Sequence, residues 1–176
     1  ITVKYNATGI EQWTRTYITG NTAEGLSAMI TDDKGNVYVT GSTEANTKVT
    51  TIKYNDTGTQ QWIAKYTAQT GTAKAITTDN NDVYITGYTT CSNPDYITIK
   101  YDKKGVQQWV AQYNGTGNNI DEANAMAIDK KGDVYVSGKS MNSGNYDYAT
   151  VKYDGKNGVE FWSARYAGRG NNTDEA

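Results

Sequence analysis

Polar and apolar side chains alternate over short runs throughout this chain. In Thr150-Val151-Lys152-Tyr153 the alternation puts Val151 and Tyr153 on one face and Thr150 and Lys152 on the other, as in a pleated strand. In Trp162-Ser163-Ala164-Arg165-Tyr166 the tryptophan, alanine and last tyrosine share a face, while Ser163 and Arg165 point away. Turn residues punctuate these runs every 8 to 12 positions. Short strands at that spacing predict an all-β chain.

The runs recur in a fixed order. The tyrosine of a Lys-Tyr pair falls at Tyr5, Tyr54, Tyr101 and Tyr153. Tryptophans follow at Trp13, Trp62, Trp109 and Trp162, and a second tyrosine stands four residues further on at Tyr17, Tyr66, Tyr113 and Tyr166. A "VY[VI][TS]G" segment begins at Val37, Val83 and Val134. The unit is therefore 46 to 53 residues long, and every tryptophan of the chain holds the same place in it. Each unit carries four strand signals, best formed in "ANAMAIDKKG", "DVYVSGKS", "YATVKYDGKNG" and "VEFWSARY". Four-stranded antiparallel blades of a β-propeller fit this period, whereas a β-helix uses much shorter rungs.

On this reading the chain holds about three and a half blades: a partial one at 1–17, full ones at 26–66, 73–113 and 123–166, and a tail at 167–176. Tyr5, Tyr54, Tyr101 and Tyr153, with the four tryptophans, are expected in the layers between blades, where aromatic rings bury the most area. Lys4, Lys53, Lys100 and Lys152 alternate with those tyrosines and are expected as an exposed ladder on the opposite face, near acidic loop residues. A start at "ITVKY" without methionine reads as a processed or excised point in a longer array, or as part of a ring that another chain completes.

The stretch "DYITIKYDKKGVQQWVAQYNGTGNNIDEANAMAIDKKGDVYVSG", residues 95 to 138, resembles the bacterial β-propeller repeat often called the SBBP-type repeat. The resemblance covers essentially the whole chain in three or four copies. It implies a secreted or cell-surface propeller, commonly one module of a large protein, and brings no catalytic residues with it. The second unit departs from the pattern, since "YTAQTGTAKAITTDNNDVYITG" lacks the "GNNxDEA" segment.

Composition narrows the chemistry. The 176 residues contain no histidine and a single cysteine, Cys91. That removes the commonest general base, any Ser-His-Asp triad and any internal disulfide. A net charge of −2 offers no basic field for nucleic acid. No run approaches the roughly 18 apolar residues of a membrane-spanning helix. The "DxxG" elements, "DKKGD" among them, read as turns capped by Asp or Asn with a left-handed glycine, and Asn80-Asn81 replaces them in "DNND". Asn6 and Asn55 stand where a cation site would need an acid.

The segments Gly115–Ala123 and Gly168–Ala176 are sharper candidates, because Asn118, Asn119, Asp121 and Glu122 carry the hard oxygens that Ca²⁺ prefers. The plainer reading makes them loop caps, and no other cofactor is implied. Asn6, Asn55, Asn114 and Asn171 match the glycosylation signal. The expectation is a non-enzymatic extracellular scaffold that binds a protein partner or other copies of itself, as in an adhesin or surface appendage. The alternatives are a lectin-like propeller that binds cell-surface glycan through loop aromatics such as Tyr88 or Tyr146, and a hydrolase or lyase with converging carboxylates.

Overall fold

A computed structural model describes residues 1–18, 25–43, 48–142 and 144–168. The segment Gly168–Ala176, apart from Gly168, and the Asn171 signal therefore lie outside the described residues. Fourteen strands are described. β1 (Thr2–Tyr5) and β2 (Glu11–Arg15) form a two-stranded sheet. β3 (Gly25–Thr31), β4 (Val37–Thr43), β5 (Lys48–Tyr54) and β6 (Gln60–Tyr66) form the first four-stranded sheet. β7 (Gly71–Thr78), β8 (Val83–Thr89), β9 (Tyr96–Tyr101) and β10 (Gln107–Tyr113) form the second. β11 (Asp121–Ile128), β12 (Val134–Asn142), β13 (Asn145–Tyr153) and β14 (Glu160–Tyr166) form the third. Neighbours within each sheet are sequential and antiparallel, the order of a propeller blade.

Local chemistry explains the hairpins. In the Asp129 turn, one carboxylate oxygen accepts the N–H groups of Lys131 and Asp133 at 2.8 and 3.0 Å, and Gly132 N–H donates to Asp129 O at 3.0 Å. Asp32, Asn55, Asn6 and Asp102 make the same two-fold cap. The shorter "DNND" turn keeps an aspartate cap, with Asn80 at φ 72°. The second carboxylate oxygen of each first-hairpin aspartate accepts from the next strand's tyrosine: Tyr38 to Asp32, Tyr84 to Asp79 and Tyr135 to Asp129, at 3.1 to 3.2 Å.

The glycine closing "VY[VI][TS]G" has a different cause. The first strand of each sheet shifts register at Leu26/Ala28, Ala73/Ala75 and Ala123/Ala125. The shift drives a backbone carbonyl against the partner glycine, so that a Cβ on Gly41, Gly87 or Gly138 would collide with the carbonyl oxygen of Gly25, Thr72 or Glu122. Only glycine fits such a backbone approach.

Candidate functional site

The layers between sheets account for most of the repeated residues. Cross-strand pairing sets Lys53 beside Trp62, Lys100 beside Trp109 and Lys152 beside Trp162. Each tryptophan ring also meets the second-strand tyrosine of its own sheet: Tyr38–Trp62, Tyr84–Trp109 and Tyr135–Trp162 lie 6.0, 6.0 and 6.1 Å apart. The lysine ammonium sits over that tyrosine at 4.9, 5.2 and 5.0 Å. Each sheet thus presents a tyrosine–lysine–tryptophan face to the sheet that follows.

The following sheet answers with its third-strand tyrosine and the turn after it. Trp13, Trp62 and Trp109 pack on Tyr54, Tyr101 and Tyr153 at 5.9, 6.4 and 6.4 Å. Their indole N–H groups donate to the turn carbonyls of Asp56, Lys103 and Gly155 at 3.0, 3.0 and 3.2 Å. Lys4 and Lys100 donate to the same carbonyls as their neighbouring tryptophans, at 2.9 and 2.8 Å. The ring covers the turn glycine so closely that a Cβ on Gly58, Gly105 or Gly158 would sit 2.7 Å from it.

These layers correct two expectations. Tyr54, Tyr101 and Tyr153 are buried, as are Trp13 and Trp109, with Trp62 half-buried. Tyr5 and Trp162, expected in the core, are 58% and 44% exposed. Each belongs to an end sheet and has no described sheet on the side it faces. The lysines differ as well. Lys100 is buried and Lys4, Lys53 and Lys152 are half-buried, because they belong to the layer rather than to an outer ladder. Lys100 pairs with Asp82 and Lys152 with Asp133, both at 2.8 Å. The Asp133 contact raises the Lys152 pKa, whereas burial lowers that of Lys53 against the opposing pull of the Asp32 charge.

The opposite ends of the sheets carry the candidate site. Among Asn118, Asn119, Asp121 and Glu122, the described side chains turn to different partners. Asn118 adopts φ 52° and accepts from Asn114 Nδ2 at 2.6 Å through its side-chain oxygen, while its backbone oxygen accepts from Asn93 Nδ2 at 3.0 Å. Asn119 is half-buried with its amide beside Gly117. Glu122 pairs with Lys139 at 3.2 Å. Asp121 is fully buried and its Oδ2 accepts the Gly115 N–H at 2.7 Å. Among the described residues no group of three or more acids, cysteines or histidines could hold a metal ion.

Asp121 instead joins a buried polar cluster between the second and third four-stranded sheets. Its N–H donates to Pro94 O at 2.6 Å, which brings Asp95 alongside. Both carboxyls keep one oxygen, Oδ1, buried without a well-formed hydrogen bond, although the Ser140 hydroxyl lies close enough to Asp121 to lower its pKa somewhat. Burial raises the pKa of each, and the Asp121 charge raises that of Asp95 further. Arg165 balances the cluster: it donates to the Ser140 hydroxyl, to Ser140 O at 2.9 Å and to Asp147 at 3.0 Å. Asp95 was not legible as part of this pair, since its "NPD" loop is joined to Asp121 only by folding.

Two of the concavities among the described residues border these groups. One of about 380 Å³ at the turn end is lined by Asp79, Lys100, Asp133, Asp154 and Phe161. Its acids cap turns or pair with lysines, as Asp79 and Asp133 do. The other, about 90 Å³, lies between the two-stranded sheet and the first four-stranded one. Cys91 is exposed, and its thiol donates to Asn93 O at 2.8 Å.

Stacked four-stranded antiparallel sheets with this interleaving define a repeat protein of the β-propeller type. No curated protein matches the chain significantly. The chain belongs to the family described as outer membrane protein assembly factor BamB, whose profile matches residues 2–176. That match supports a propeller-type repeat without singling out the SBBP-type form. No helix among the described residues is long and apolar enough to cross a membrane.

Proposed function

We propose that this chain is a non-enzymatic scaffold that binds a protein partner through the loop ends of its sheets, in an extracytoplasmic setting at the bacterial cell surface. One observation carries the reading: the two ends of the sheets are built differently. The turn end repeats one capped hairpin and spends its polar groups on the layers between sheets. At the loop end the chain varies, as between the "TTCSNPD" loop and the strands of the third sheet that stay paired out to Asn142 and Asn145. Variable loops on a rigid frame are where recognition is normally carried. The family's description as an outer membrane assembly factor supports a protein-binding role in the cell envelope.

Glycan binding gains no comparable support, because Tyr88 and Tyr146 each carry a lysine over the ring, Lys74 at 5.4 Å and Lys139 at 4.7 Å. Site-specific photo-crosslinking in bacterial cells tests the protein-binding reading. Probes at exposed Ser92 and Thr116 should trap a protein that probes at Lys103 and Lys130, on the turn end, do not. Equal trapping at both ends, or none at any position, overturns the reading.

A further inference from the structure

Three loops of the second and third four-stranded sheets are laced into a single surface. Thr90 N–H donates to Thr70 O at 3.0 Å, and the Thr70 hydroxyl donates to Thr90 O at 3.1 Å. Gln112 Nε2 donates to Gln69 Oε1 at 2.6 Å, Asn93 Nδ2 to Asn118 O at 3.0 Å, and Asp121 N–H to Pro94 O at 2.6 Å. Residues 67–70, 90–94 and 114–120 thereby hold one another in place, and most of them are exposed. None of these 16 residues is charged or aromatic, and none is a large exposed hydrophobe. At the opposite end of the same two sheets, the turns at 79–82, 102–105, 129–133 and 154–158 carry 11 charges in 18 residues. Charges next to the loops are buried or engaged: Asp121 is buried, Glu122 pairs with Lys139, Asp147 pairs with Arg165, and Lys74 lies over the Tyr88 ring.

We propose, resting on the protein-binding reading above, that this laced surface takes an uncharged, extended stretch of a protein partner through amide and hydroxyl groups. A charged stretch would give up its hydration against loops that offer no counter-charge, which is costly. An apolar stretch would find no large exposed hydrophobic side chain to cover. A sugar ring would find no aromatic face to pack on. An extended peptide needs what the loops carry, since Gln, Asn, Ser and Thr side chains both donate to and accept from main-chain groups. The loops already hold one another, so little further ordering is lost on binding. No charge pair forms across the contact, and association is therefore insensitive to ionic strength.

The test keeps the full chain in bacterial cell envelopes, with a benzoylphenylalanine photo-probe at exposed Thr116. Adducts are quantified in low and high sodium chloride, about 50 and about 500 mM, and protease and periodate digestion distinguishes trapped polypeptide from trapped glycan. The yield of polypeptide adduct should change less than about 2-fold across that range. Ser92 is exposed on the neighbouring loop, so its substitution should leave the circular dichroism and melting of the chain unchanged. Ser92→Lys and Ser92→Asp should each lower the yield about 10-fold or more, whatever the sign, because the added charge loses water without gaining a partner. Ser92→Thr, which stays uncharged, should trap as wild type does. Opposite responses to Lys and Asp, unchanged trapping in both, equal loss in Ser92→Thr, or a fall of about 10-fold in high salt would each overturn this inference while the protein-binding reading stands. A glycan adduct, or no adduct at all, would overturn both.

Discussion

At the scale of single residues, the polar caps set the pH response. Asp32 accepts from Lys34 N, Asn36 N, Asn36 Nδ2 and Tyr38 Oη. Its pKa lies below the ordinary 3.8: burial would raise it, but these hydrogen bonds outweigh that and hold the carboxylate ionised. The stability it contributes is present above its unfolded pKa and is lost as pH falls through the lower folded value. Asp32→Ala should cost about 1.5–3 kcal/mol at pH 7 in chemical denaturation, and less below pH 3. Asp95 behaves oppositely, because burial and Asp121 raise its folded pKa. Its favourable contribution is present below the unfolded pKa and is lost as pH rises through the folded one. Asp95→Asn should therefore melt higher than wild type at pH 7, with the gain fading towards pH 4. Equal melting at both pH values would show that Asp95 carries no such load.

Sequence spacing exposes the turns and the strand faces because both follow from local chemistry: an Asp or Asn cap, a glycine at the fourth place and a two-residue period. It does not expose whether Lys100 is an outer lysine or a buried donor, since that depends on Gly155 of another sheet. Nor does it distinguish Trp109, which is buried, from Trp162, which is 44% exposed. The residues around them are alike and only the neighbouring sheet differs. At the scale of the element, the bulge glycine was visible as a repeated letter without a reason. The collision of its Cβ with a carbonyl supplies one. Gly87→Ala should displace β7 from β8 and cost about 3 kcal/mol, the upper range for overpacking, measured by denaturation. Gly132→Ala, with nothing near its Cβ but φ of 88°, should cost less, about 1 kcal/mol.

For the whole molecule, stability resides in the layers between sheets. Trp109 joins Tyr84 in its own sheet to Tyr153 and Gly155 in the next. Trp109→Ala should cost about 3–5 kcal/mol, whereas Trp162→Ala, at a side chain that is 44% exposed, should cost about 1 kcal/mol. Similar losses for the two would mean that Trp162 is covered. The sheets meet through side chains and turn carbonyls that are nearly the same at each junction, so every sheet has one giving side and one receiving side. That polarity bears on how such a chain can lengthen. A tandem duplication of one unit would insert a sheet whose receiving side suits the neighbour before it and whose giving side suits the neighbour after it. The new junctions would need no compensating substitutions, so selection on a longer gene would begin from an array that already packs.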